Sequence, residues 1–259
     1  MKILSWGLGL QSTALLEMSL SGDYGLPKLD AAIFADTGYE HEYSHEIYDF
    51  YAPRAIKAGI KVVKIGDQDI LADQYKHVDL PLFILGTDRM IKRKCTRDYK
   101  IRPIQRQIRD LLGVKRRGRL SANLVTLWLG ITVDEIERAK LSRVAYISHE
   151  FPLLDIDFKR GDCADYLKAK NLPVPKKSSC KFCPFQKHSE WADKSEEDIA
   201  LITDLQTHIN DNKLVQIGGQ PKLMSFLPNA DFIQADFLIG GQAEMVEQAA
   251  MCDGGFCHS

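Results

Sequence analysis

Apolar positions come in short bursts that alternate with longer mixed segments. The first burst holds Ile3, Leu4 and Trp6 and is followed by Gly7 and Gly9, then Gln11, Ser12 and Thr13, then Ala14, Leu15, Leu16 and Met18. This order predicts a buried strand, a tight turn and a helix. Residues 29–35 read as a second buried strand, 42–58 as a helix, and 60–65 as a third strand. Tyr43, Ile47 and Phe50 recur at helical spacing, a stripe that predicts core packing. Residues 104–112 read as a helix ending at Gly113, 124–132 as a fourth strand and 144–148 as a fifth. Between the last two, residues 133–140 start a helix with acids early and bases late, as its dipole prefers. Asp162 is placed to cap a helix running to Lys170, and residues 190–212 are helical with mixed charge. The tail passes Gly240 and Gly241 into a further helix and ends in a glycine-bearing segment with Cys252 and Cys257. Strands alternating with helices imply a doubly wound α/β fold on a mostly parallel sheet with right-handed crossovers.

At 259 residues the chain can bury a full core, as one large α/β domain or one with a small appendage. The expected division is 1–170 for the main domain and 171–259 for a cysteine-bearing extension. No apolar run is long enough for a membrane span, so no membrane partner is expected. Met1 and Lys2 before an apolar stretch allow a secretory reading, but Gln11, Ser12 and Glu17 interrupt it and no clear cleavage site follows. Six cysteines without such a leader point to a reducing, cytoplasmic setting, where metal, cluster or thiol chemistry outweighs disulfides. A net charge of −1 selects no partner, but its distribution is uneven: residues 88–119 carry thirteen Lys or Arg against three Asp. Such a stretch is either a solvated basic face or a surface for phosphate or nucleic acid.

Three stretches carry candidate chemistry. The first turn suits an anion: glycines let the backbone approach, unpaired helix N–H groups point at it, and Ser12 and Thr13 add hydroxyls. It is neither the dinucleotide fingerprint nor a Walker loop, because the third glycine and the Gly-Lys-Ser/Thr ending are missing. A purely structural turn is the competing reading. Asp36, Thr37 and Gly38 follow the second strand, at the edge where open α/β sheets hold ligands. Cys180-Lys181-Phe182-Cys183-Pro184 is a rigid Cys-x-x-Cys loop. Two thiolates cannot complete a zinc or iron–sulfur site, so the remaining ligands must come from Cys95, Cys163, Cys252, Cys257 or a histidine. A redox dithiol and inert thiols are the alternatives.

In order, these stretches resemble the PP-loop superfamily (adenine nucleotide α-hydrolase-like), and within it the phosphoadenosine phosphosulfate (PAPS) reductase-like branch. The family loop Ser-Gly-Gly-x-Asp-Ser falls on Gly7-Leu8-Gly9-Leu10-Gln11-Ser12; Asp36-Thr37-Gly38 resembles the branch's Asp-Thr-Gly element. Cys95 with Lys100 and Pro103 resembles its Cys-x-x-x-x-Lys-x-x-Pro segment. Gly130, Asp134, Glu135 and Arg138, then Arg160-Gly161-Asp162, then Lys177-Ser178 before Cys-x-x-Cys-Pro follow in the family's sequence, over roughly residues 1–190.

The resemblance implies a Rossmann-like PP-loop fold that binds ATP or PAPS through Ser5, Gly7, Gly9, Gln11, Ser12, Thr13, Asp36, Thr37 and Gly38. Asp36 would recruit Mg²⁺ or orient substrate, and Lys100, Arg138 and Arg160 would offset developing negative charge. Cys95, Cys180, Cys183 and a tail thiol, Cys257 first among the candidates, would hold a [4Fe–4S] cluster, with Zn²⁺ as the alternative. Cys163 is either a buried helix-start thiol or a spare ligand or sulfur carrier. The leading activity it implies is ATP-dependent, pyrophosphate-releasing sulfur transfer to a tRNA, DNA or nucleotide-like acceptor, with a sulfur donor protein. A thiol-dependent PAPS reductase, with Cys257 as nucleophile and thioredoxin as partner, is the second reading. A non-catalytic, zinc-containing nucleic-acid-binding protein using the 88–119 stretch is the third. The chain departs from the family where Gln11 replaces the loop aspartate, Gly7 replaces its first serine, and Ile131-Thr132 stand where the assimilatory reductases carry arginine.

Overall fold

The computed structural model describes residues 1–66, 68–115 and 118–228. They form two compact units, one from Met1–Gln68 and Arg97–Ser178, the other from Asp69–Thr96 and the described residues beyond Ser178. The division thus differs from the one expected at residue 170: a segment from the first half of the chain belongs with the cysteine-bearing part.

The first unit is built on a five-stranded parallel sheet of β1 (Lys2–Ser5), β2 (Ala31–Ala35), β3 (Lys61–Ile65), β5 (Val125–Trp128) and β6 (Ile147–Glu150). β4 (Phe83–Ile84) belongs to the second unit. The spatial order is β3-β2-β1-β5-β6, so β1 is central. Alternation along each strand sends neighbours to opposite faces. Leu4, Trp6, Phe34 and Trp128 pack on one face beneath α1 (Leu10–Ser21), α2 (Glu42–Lys57) and, after the second unit's α3 (Ile70–Lys76), the later helices α5 (Pro152–Asp155) and α6 (Arg160–Ala169). Ile3, Ile33, Val125 and Leu127 pack on the other beneath α4 (Arg102–Leu111), through Ile104 and Ile108. Helices on both faces make this the doubly wound α/β fold expected, and its two-sided burial explains the continuous apolar runs of β1 and β2.

Several boundaries differ from expectation for local reasons. The 133–140 segment makes only a 3₁₀ turn, Val133–Arg138, broken at Glu135 (φ −129°). Asp162 is not the N-cap of α6 but sits one turn in, where its carboxylate accepts the Lys159 N–H at 2.8 Å. The fifth strand begins at Ile147, three residues later than the apolar run suggested.

In the second unit, the expected 190–212 helix is split into α7 (His188–Ala192) and α8 (Glu196–Asn212), because Ser195 caps the latter by accepting the Asp198 N–H at 3.1 Å. β7 (Val215–Ile217) and β8 (Gln220–Lys222) form a hairpin across Gly218 and Gly219, both at positive φ, as a two-residue turn requires. β9 (Met224–Ser225) pairs antiparallel with β4. Asn210 fixes β9 with two bonds to the Met224 backbone, at 2.8 and 2.9 Å, and Phe182, Trp191 and Phe226 are buried together. The expected tail helix lies outside the described residues.

Candidate functional site

The chain runs outward from β1 to β2 and β3 on one side and returns to β5 and β6 on the other. The edge beyond the C-terminal ends of β1 and β5 is therefore the switch point where open α/β sheets form a crevice. Trp6 extends the ladder past Ser5 by donating its N–H to Ile33 O at 2.9 Å. The backbone then turns sharply: Leu8 takes φ 57°, a left-handed conformation that non-glycine residues adopt at a cost. Gly9 is the N-cap of α1, and no side chain caps that helix. Gly130, just past β5, lies against the same helix start. A Cβ there would come within 2.7 Å of Ser12 N and 3.0 Å of the Gln11 carbonyl carbon. Close backbone approach is thus built into the crevice at Gly130.

The charges around this turn form one network. Gln11, buried, receives Arg160 Nη1 on its Oε1 at 3.1 Å and donates Nε2 to Glu135 Oε2 at 3.3 Å. Arg138 Nη1 donates to the same Glu135 oxygen, and Asp134 accepts the Arg160 backbone N–H at 3.1 Å. Burial pushes the Glu135 carboxyl above its ordinary range, while Arg138 and Arg160 pull it back. An aspartate at this position, shorter by one methylene, would add a second carboxylate beside the buried Glu135. A neutral amide satisfies both an acid and a guanidinium.

One strand over, Asp36 accepts the Gly38 N–H at 2.9 Å and pairs with Lys64 at 3.0 Å. Gln68 ties the Asp36 carbonyl to that of Tyr99, at 2.9 Å each. Lys100 lies 3.3 Å from the buried Glu40, whose Oε1 also accepts from Thr37 Oγ1 at 3.2 Å. Asp36, the carboxylate expected to recruit Mg²⁺, thus already holds Lys64, and Glu40 and Glu135 at the same edge each hold an internal cation as well. This arrangement does not fit a Mg²⁺ site, and no chemical step is derived through that ion.

Arg138, Arg160 and Gln11 are therefore brought together at the start of α1. Asp36, Thr37, Gly38 and Lys100 gather at the adjoining end of β2. Ser12 Oγ bonds back to Gly9 O at 3.1 Å. Thr13 is fully buried, and its hydroxyl accepts the Trp6 indole N–H at 3.1 Å, which makes it a strut between β1 and α1 rather than an exposed donor. Ser5 is buried at the end of β1, while Gly7 enters the turn. Neither Glu135 nor Glu40 is among the expected site residues; the first reads as an acid favouring a helix dipole and as part of the resemblance.

Among the candidate metal ligands, Cys180 and Cys183 share a tight turn closed by Cys183 N–H to Cys180 O at 3.0 Å. Gln186 Nε2 donates to Ser179 Oγ at 3.0 Å and to Cys180 O at 3.3 Å. Lys194 bonds Lys181 O and, at 2.7 Å, Gln186 Oε1; its burial lowers its pKa to about 8. Cys95, half-buried, donates its N–H to Asp79 O at 3.2 Å. Among the described residues, no group of three or more His, Cys, Asp or Glu side chains is arranged to hold a metal ion. The described thiols supply the Cys-x-x-Cys half of a site and do not complete a cluster or zinc site; Cys252 and Cys257 lie outside the described residues. Cys163 is fully buried, and burial pushes its thiol up to about 12, the environment of a packing thiol rather than of a reactive one. In the basic stretch, Lys94 pairs with Asp79, Arg97 and Arg102 with Asp98, and Lys100 with Glu40, so several of its cations hold the fold. No helix among the described residues is long and apolar enough to cross a membrane.

No family model matches the chain, and no curated protein does. Solved structures do match. One is the phosphoadenylyl-sulfate (PAPS) reductase from Candida auris in phosphate complex, 16% identical, with a TM-score of 0.43, over 67% of this chain and 74% of that one.

Proposed function

We propose that the chain is a nucleotide-binding enzyme of the PP-loop, PAPS reductase-like kind, holding the phosphate or sulfate end of an adenine nucleotide at the start of α1. The observation that carries this reading is the close approach of Gly130 to the uncapped helix start that follows Gly9, at the sheet's switch point. Arg138 and Arg160, oriented through Glu135 and Gln11, supply positive charge beside that backbone. Helix N–H groups and guanidinium forks together suit a tetrahedral oxyanion.

Two chemistries remain within this reading. ATP-dependent sulfur transfer to a nucleic acid or nucleotide-like acceptor draws on the loop and the basic 88–119 stretch, and releases pyrophosphate. Metal-independent reduction of PAPS is favoured by one observation: Asp36, Glu40 and Glu135 are already paired with Lys64, Lys100 and Arg138. In it a thiolate attacks the sulfonyl sulfur and displaces adenosine 3′,5′-bisphosphate, and the thiols of thioredoxin then free sulfite from the S-sulfocysteine and end as a disulfide. Purified, reduced protein incubated separately with ATP plus Mg²⁺ and with PAPS plus thioredoxin distinguishes them. Pyrophosphate without sulfite supports the first, sulfite without ATP the second. Neither product, with no nucleotide binding, would sink the proposal and leave the non-catalytic nucleic-acid reading. Metal analysis after anaerobic purification tests the cysteine site: iron with visible absorption supports a cluster, zinc the structural alternative.

A further inference from the structure

Two buried polar atoms beside the end of β2 have no hydrogen-bond partner. Glu40 has a fully buried side chain whose Oε1 is taken by Thr37 and Lys100, while Oε2 is left with none. Ser44, 1% exposed, sits in the first turn of α2, where its N–H bonds His41 O at 2.9 Å; its Oγ is likewise unpartnered. Buried polar atoms are nearly always satisfied, and a pair of orphans on one short stretch marks a place where something else completes the bonding. That stretch follows Asp36, Thr37 and Gly38 on the strand next to β1. Ser5 is in register with Ile33, so the two loops leave the same sheet edge about 5 Å apart, the ordinary strand spacing.

We propose that Glu40 and Ser44 form a subsite for a hydrogen-bond donor of the nucleoside, a ribose hydroxyl or the exocyclic amine, whose phosphate lies at α1. The inference rests on the nucleotide reading above. A carboxylate oxygen only accepts, so its partner must donate, and a phosphate oxygen is ruled out by charge. A hydroxyl can donate or accept, so Ser44 serves either end of the same group. Acidic residues at the C-terminal edge of parallel strands recognise sugar hydroxyls by the same logic. Lys100 pairs with Glu40 through the other oxygen, which leaves the acceptor the ligand needs unoccupied.

Adenosine 5′-monophosphate, the moiety common to ATP and PAPS, is the probe. Its affinity and those of its 2′-deoxy, 3′-deoxy and 6-deamino (purine riboside) analogues would be measured by calorimetry on the wild type, Glu40→Gln and Ser44→Ala. The expected result is that one analogue binds the wild type about tenfold more weakly than the parent, the usual effect of losing a charge-assisted bond. In both variants, that same discrimination should shrink towards none, while parent affinity falls about tenfold for E40Q and about threefold for S44A. The analogue that loses affinity identifies the donor. Equal analogue discrimination in all three proteins, or none in the wild type, would overturn the subsite and leave the nucleotide reading intact. A wild type that binds neither this nucleotide nor ATP nor PAPS overturns both. If E40Q unfolds through loss of its ion pair, S44A alone decides.

Discussion

Gly130 is the residue whose side chain, by being absent, most constrains the site. A methyl group there meets backbone atoms of α1 at 2.7 and 3.0 Å, and backbone cannot swing aside as a side chain can. Gly130→Ala should therefore cost about 1–3 kcal/mol, read from urea unfolding, and weaken nucleotide binding by displacing the start of α1. Gln11 is held between an acid and a base, so Gln11→Asp tests whether this loop tolerates the family's aspartate. It should keep the Arg160 contact, repel Glu135, and lose about 1–3 kcal/mol at neutral pH. The sign of the pH effect follows from burial, which already raises the Glu135 pKa from 4.5. A second carboxylate raises it further, so the folded state binds protons more readily than the unfolded one. Stability is greatest below the unfolded value and falls as pH rises through the folded one. Denaturation of Q11D at pH 5 and pH 8 should show the larger deficit at pH 8, and E135Q in the same background should remove that difference. Cys163 makes the opposite case. With its thiol pushed up to about 12 and fully buried, it should resist iodoacetamide at pH 8 in the native protein and react once urea is added, as mapped by mass spectrometry.

Helix α1 shows what the chain's pattern reveals and where it stops. Its existence, and the strand and turn before it, are written in the apolar burst, the glycines and the following Ala-Leu-Leu run, because burial on both sheet faces demands continuous apolar strands. The role of Thr13 is not written there. Near a glycine turn a hydroxyl reads as a phosphate donor, but Thr13 Oγ1 takes the indole N–H of Trp6, seven positions back. Only the docking of α1 on β1 reveals that. Thr13→Val should leave a buried donor unpaired and cost about 1–3 kcal/mol, whereas Thr13→Ser, which keeps the acceptor, should cost less; thermal melts of the two variants decide. If Thr13 instead served a ligand, T13V would lower nucleotide affinity without lowering stability. The same limit hid the partners of Glu135 and Glu40. Their side chains matter through Gln11, Arg138 and Lys100, at sequence separations of 124, 3 and 60 residues. No local window holds the first or the last of these pairs. The Cys-x-x-Cys turn was legible because proline and spacing are local; a third ligand for it was not, and the described fold does not supply one.

At the scale of the whole molecule, the proposals converge on whether a nucleotide stabilises the fold and whether a divalent ion is needed. A ligand that binds only the folded state stabilises it by about 2.7 kcal/mol at a hundredfold excess over Kd. For a chain of this size that corresponds to a rise in Tm of roughly 5–10 °C, at about 2–4 °C per kcal/mol. ATP and PAPS should each produce a shift if α1, Arg138 and Arg160 form the anion site, and Arg160→Ala should abolish most of it. Asp36, Glu40 and Glu135 are matched by Lys64, Lys100 and Arg138, so the shift should survive EDTA. Salt should weaken it, since guanidinium–phosphate attraction at an open edge is screened. A shift that appears only with Mg²⁺ would mean that at least one of those ion pairs opens to receive the metal. That outcome would favour ATP-dependent chemistry, and replacing Lys64 with methionine should then free Asp36 and increase the Mg²⁺ response. A shift that is indifferent to Mg²⁺ and stronger for PAPS than for ATP would favour sulfonucleotide chemistry. The internal neutralisation of these carboxylates is therefore the property that links the residue-level contacts to the reaction the molecule can run.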